Sequence, residues 1–174
     1  FSHKAEVAKP YYYKVYLADH DVTTELVPTE RAVMFRFTYP ETKNAYVILD
    51  AFDKGSYVKV IPEENKIIGY PPGIAAGAVE LQELFCHQVP QAVYLYFGVK
   101  ENNILPNETE VEGNHTGAII GFATKKGEIV HARVASSFIS YEQAELNLKE
   151  LGNNSFDQLV TKGKDIWNRE MSKV

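Results

Sequence analysis

The sequence predicts a mainly β fold, an antiparallel β-sandwich followed by two C-terminal α-helices. Three observations lead there. From Tyr11 to Ser137, short apolar–polar alternations are broken about every ten residues by Pro, Gly, Asn and Asp, the rhythm of packed antiparallel sheets. No unit of ~30 residues alternates strand with helix, which argues against a parallel α/β sheet. After Ser137 the apolar period lengthens from two to that of a helix, and two capping signals appear.

The elements follow in order. "YYYKVYL" reads as a strand with Tyr11, Tyr13, Val15 and Leu17 on one face and Tyr12, Lys14 and Tyr16 on the other. "AVMFRFTY" repeats the pattern, with Val33, Phe35, Phe37 and Tyr39 inward and Arg36 and Thr38 outward. "YVILDAF", "SYVKVI", "NKIIGY", "AVYLYFGV", "GAIIGFA" and "IVHARVA" continue it, separated by turn sequences such as "DKGS" and "KKGE". The stretch from Pro71 to Pro90, "PPGIAAGAVELQELFCHQVP", reads as a long connection with a short helical turn around Glu80 to Phe85. Long ordered connections often carry function, so Tyr70, Glu80 and His87 are candidates for ligand contact, with a passive surface loop as the alternative.

In the C-terminal part, Ser140 with Gln143 and Ser155 with Gln158 have capping-box spacing. Tyr141, Ala144, Leu148 and Leu151 form one helical stripe; Phe156, Leu159, Val160, Gly163, Ile166, Trp167 and Met171 form another. The expected organisation is a sandwich over 1–138 and helices over 139–174. The far end of the second stripe, Ile166, Trp167 and Met171, is expected to be under-buried and to meet a neighbouring domain.

Composition narrows the function classes. The 174 residues carry a formal net charge of −5 with no basic stripe, which argues against nucleic acid as partner. The single cysteine, Cys86, excludes an internal disulfide and reads as a lone thiol. No apolar run approaches ~20 residues, so no membrane span is expected. The chain opens on Phe1 without a leader sequence and ends without a helix stop signal, so both ends are expected to be internal to something longer.

Chemistry-bearing motifs are few. His3, His20, His87, His115 and His131 lack metal-ligand spacing, so no metal site is expected. His131 and Arg133 read as a solvated strand face, and His115 as a turn residue bonded to backbone. Asp50 and Asp53 read as turn formers, and Glu25, Glu30 and Arg31 as a surface ion-pair group. Three Asn-x-Ser/Thr triplets, at Asn107, Asn114 and Asn153, matter only in a glycosylating pathway. The clustered Tyr11, Tyr12 and Tyr13 fit strand packing or a sugar-stacking face. No catalytic residue is assigned.

Four stretches taken together resemble glycoside hydrolase family 92, the calcium-dependent α-mannosidases. They are "FSHKAEVAKPYYYKVYL", "TELVPTERAVMFRFTYP", "GNHTGAIIGFATKKGEIVHARVASSFISYEQAELNLKEL" and "FDQLVTKGKDIWNREMSKV". They span nearly the whole chain in family order; Tyr11, where family members often carry Gly, and the stretch after "NKIIGY" depart from the pattern. The resemblance implies a supersandwich-like N-terminal domain whose two helices link it to an (α/α)6 catalytic domain in cis. It also implies inverting hydrolysis of mannose-containing glycans, α-1,2 linkages foremost, in the periplasm or outside the cell. The acid, base and calcium ligands of the family match no position here, so this chain alone is expected to be inactive and to line one wall of the active site. A free-standing carbohydrate-binding module or an interaction domain is the alternative.

Overall fold

The computed structural model describes residues 3–51, 55–70, 77–82, 95–100 and 103–173, with the backbone alone within 77–82 and 95–99. Among these residues the chain enters through β1 (Glu6–Lys9) and β2 (Tyr12–Leu17), then β3 (Val22–Pro28), β4 (Ala32–Tyr39) and β5 (Thr42–Asp50). Next come β6 (Ser56–Ile61), β7 (Lys66–Tyr70), β8 (Gly77–Gln82), β9 (Leu95–Lys100) and β10 (Asn103–Pro106). The last strands are β11 (Glu110–Gly113), β12 (Thr116–Thr124) and β13 (Glu128–Ser136), followed by α1 (Tyr141–Leu148) and α2 (Phe156–Met171).

Two antiparallel sheets result. The larger has nine strands in the order β1-β2-β3-β4-β13-β8-β7-β6-β11, and the smaller has four in the order β10-β9-β12-β5. The sandwich core lies between them, where Phe35, Phe37 and Tyr39 of β4 meet Ile120 and Phe122 of β12. Tyr39 and Phe122 pack edge to face with ring centroids 5.4 Å apart.

The helices form a third layer on the other face of the large sheet. Ala144, Leu148, Leu151, Phe156 and Leu159 pack there against Val27, Ala32, Met34 and Ala135. β4 is therefore a middle-layer strand, and its sequence carries apolar side chains on both faces for that reason. Both helix starts use the predicted serines. Ser155 and Gln158 form a reciprocal capping box. Ser140 accepts from the Gln143 amide, but the Gln143 side chain turns to Asn147 instead.

Several expectations are corrected. Of the helical turn expected around Glu80 to Phe85, residues 80–82 belong instead to β8, because β13 on one side and β7 on the other both take that strand as a ladder partner, and 83–85 lie outside the described residues. A helix there would leave the edges of both neighbours unsatisfied. Tyr11 lies in the β1–β2 turn, one residue before its strand. β1, β10 and β11, each four residues long, have too little alternation to be read locally. His131 and Arg133 lie on the helix-covered face: the His131 ring sits 6.3 Å from that of Phe156, and an Arg133 Nη2–H donates to the Gly152 carbonyl. Arg36 also faces α2, with only 20% of its side chain exposed.

Candidate functional site

Strand register gathers several turns at one end of the large sheet. Lys9 pairs with Tyr12, Pro28 with Val33, Ala135 with Ala32, Ser136 with Gly77, and Tyr57 with Tyr70. The Pro10–Tyr11 turn, the Thr29–Arg31 turn, the segment after Ser136 and the end of β7 therefore share that end.

α2 runs towards it. Its start lies over mid-sheet, where Phe156 covers Arg36, and Gly163 reaches the Tyr11 turn. A Cβ on Gly163 would stand 2.9 Å from the Cβ of Tyr11, so glycine is what lets the helix come this close. Beyond Gly163 every described helix residue is exposed, and Ile166, Trp167 and Met171 keep 50, 43 and 64% of their surface. A groove of about 790 Å³ opens between this free half of α2 and the two turns. Leu159, Gly163, Ile166 and Trp167 line its apolar side, and Arg31, Glu150 and Lys162 border it.

The groove wall is tied down by charge. Glu150 accepts from Thr29 Oγ1 at 2.8 Å, from the Arg31 amide at 3.0 Å and from Arg31 Nε. Burial acts to raise the Glu150 pKa, but the bonds from Thr29 and Arg31 outweigh it and hold the carboxyl below its ordinary value. Neither partner is near the other in sequence, so no local pattern marks the pair.

A second polar knot sits beneath the start of α2. Glu25, which is buried, accepts two bonds from Arg36, Nε at 2.7 Å and Nη2 at 2.9 Å, and a third from Tyr12 Oη at 2.6 Å. Arg36 Nη1 reaches Asp157 in the first turn of α2 at 3.0 Å, and the guanidinium lies 4.1 Å from the Phe156 ring centroid. Burial pushes Glu25 up, yet Arg36 and Tyr12 together bring it below the ordinary carboxylate value. Burial and the Glu25 carboxylate push Tyr12 up to about 12. The surface ion-pair group expected from Glu25, Glu30 and Arg31 is thus replaced by two separate contacts, one buried.

Of the loop candidates, Tyr70 stacks on Tyr57 with centroids 5.2 Å apart and lies 6.5 Å from Tyr141. Its hydroxyl faces Glu112 at 3.4 Å, while Tyr57, pushed up to about 12 by burial and by Glu110, donates to Glu110. Glu80 occupies a ladder position in β8 opposite Arg133 and Lys66. His87, like Cys86 and Asp53, lies outside the described residues. His115 contacts the Asp50 carboxylate at 2.8 Å, a side-chain partner.

The described carboxylates with a resolved shift, Glu6, Glu25, Glu110, Glu142, Glu150 and Glu170, are all held below their ordinary value. A proton donor working near neutral pH requires the opposite shift. Among the described residues no three His, Cys, Asp or Glu side chains come together as metal ligands.

Comparison with known proteins places the chain. The model of the glycosyl hydrolase family 92 N-terminal domain matches residues 1–137. An inverting mannosidase of that family from Bacteroides thetaiotaomicron is 30% identical, with TM-score 0.82 over 97% of this chain and 23% of that one. A family 92 α-mannosidase from the same organism, solved with mannoimidazole, is also 30% identical, with TM-score 0.83 over 99% of this chain and 24% of that one. A third family 92 hydrolase, at 21% identity and TM-score 0.75, shares the fold. No curated protein matches the chain. The chain spans about a quarter of the length of these solved relatives. With its two sheets, its helical layer and the family pattern running through nearly all of β1 to β13, this chain belongs to glycosyl hydrolase family 92, whose N-terminal domain it carries.

Proposed function

We propose that this chain works as the N-terminal domain of an inverting α-mannosidase, where it braces a C-terminal catalytic domain and forms one wall of the mannose site. The observation that carries this reading is the free half of α2. Its apolar stripe runs on past the last sheet contact into Ile166 and Trp167, which face a groove rather than a core, and into the exposed Met171. Apolar surface continuous with a buried stripe fits a second domain in cis. The relatives, about four times as long, include an inverting mannosidase and an α-mannosidase.

In that reading the acid and the base both belong to the catalytic domain. Inverting hydrolysis sets two carboxyl groups roughly 6.5–9.5 Å apart, one to protonate the leaving oxygen and one to activate water on the opposite face. The described carboxyls that are held below their ordinary value stay ionised and do not suit the acid's role, and the contribution assigned to this chain is shape and water exclusion. The calcium implied by the family calls for several hard oxygen ligands. Among the described residues no three His, Cys, Asp or Glu side chains come together; this reading assigns the calcium to the catalytic domain, and no step here runs through it. The substrate class is mannose-containing glycans, α-1,2-linked ones first, met in the periplasm or outside the cell. No helix of the described residues is long and apolar enough to cross a membrane.

The test is hydrolysis of an aryl α-mannoside and of α-1,2-mannobiose, by this chain alone and by a polypeptide that continues into the catalytic domain. The longer protein should release β-mannose first and lose activity on chelation of calcium. The chain alone should give no turnover; hydrolysis above blank by it would overturn the reading.

A further inference from the structure

Among the described residues the largest exposures of apolar side chains are not on α2. Phe138 and Ile139, adjacent in the segment between β13 and α1, keep 83% and 81% of their surface. Single exposed apolar residues are ordinary, but two large neighbours both this far in water are not. Nor is the segment loose. The buried Ser137 accepts from the Ile139 amide at 3.0 Å, Ser140 caps α1, and Asn147 Nδ2 donates to the Ser136 carbonyl at 2.7 Å. The two side chains are held out by a frame hydrogen-bonded on both sides.

We infer that Phe138 and Ile139 are a docking knob that seats in an apolar, uncharged socket on the following catalytic domain of the same polypeptide. Two observations select this occupant. First, Ser136 pairs with Gly77 and Ala135 with Ala32, so the knob stands at the same end of the large sheet as the groove under Trp167. One body covering that end would meet both. Second, about three-quarters of each solved relative lies outside the part this chain matches, enough polypeptide to form such a body. The sequence around the knob, "SSFIS", is neutral, which fits an apolar socket better than a charged ligand. The inference rests on the proposed function only for the existence of a domain that follows.

Thiol labelling tests it. In a Cys86→Ser background, Phe138→Cys and Ile139→Cys are made separately in this chain and in the polypeptide that continues into the catalytic domain. Labelling at each position is followed by peptide mass spectrometry. In this chain both thiols should react as open-solvent cysteines, with the melting temperature unchanged. In the longer protein they should react about tenfold or more slowly. Equal rates in the two proteins would overturn the inference. So would protection in the short chain that grows with its concentration, because the occupant would then be a second copy. A longer protein that protects both positions but hydrolyses no mannoside would sink the mannosidase reading and leave the knob in place.

Discussion

Arg36 meets Glu25 through two nitrogens, Asp157 through a third, and the face of Phe156. Removing a partner from a buried ion pair leaves an uncompensated charge, which typically costs about 3–5 kcal/mol. Arg36→Met should therefore lower the unfolding free energy by about 3 kcal/mol, and the double variant Glu25→Gln/Arg36→Met should recover part of it, both read by urea denaturation. The same pair predicts a pH dependence. Glu25 has a folded pKa below its ordinary 4.5, so its contribution is present above the unfolded value and is lost as pH falls through the folded one. Stability should drop on acidification below about pH 4.5, and Glu25→Gln should flatten that drop. A pH profile identical in the two proteins would show that Glu25 is not the group responsible. At sequence level, Glu25 and Arg36 are simply alternate residues of two strands; only the β3–β4 register, with Glu25 opposite Arg36, makes them a pair.

At the scale of the element, α2 has two halves with different duties. The first is anchored by its capping box and by Phe156 and Leu159. Ser155→Ala removes the cap and should cost about 1 kcal/mol in a thermal or urea melt. The second half starts at Gly163. In an open helix, Gly→Ala gains up to about 1 kcal/mol of helix propensity. Here the new Cβ would crowd the Tyr11 Cβ, an atom that cannot move without its backbone, so Gly163→Ala should destabilise the protein. A rise in melting temperature for that variant would mean that the helix can lift from the turn at little cost. The capping signals and the stripe were legible in the sequence because both are local, three to four residues apart. The contact with Tyr11 was not, since nothing in the neighbourhood of either residue points to the other.

At the scale of the whole molecule, one end of the large sheet carries exposed apolar side chains from two elements, Trp167 and Met171 of α2 on one side and Phe138 and Ile139 before α1 on the other. Exposed apolar area of this kind favours association. The chain by itself should self-associate at high concentration through the α2 stripe alone, leaving Phe138 and Ile139 open to solvent, as read by analytical ultracentrifugation; Trp167→Glu should shift it towards monomer without changing its melting temperature. A monomer at every concentration would indicate that the ridge is too small to pair with itself, and would weaken the argument for a partner there.

By itself the sequence determined the class of the fold, most of the strands, both helices with their caps, and the family. These follow from side-chain period, turn chemistry and a long ordered pattern, all of which survive without knowledge of neighbours. The tertiary structure alone decided that β8 is a strand, that the outward face of β4 and β13 is a second core, and which acid answers which base. Those outcomes depend on pairings between residues as much as 121 positions apart, and their energy comes from burial and register that no local window contains.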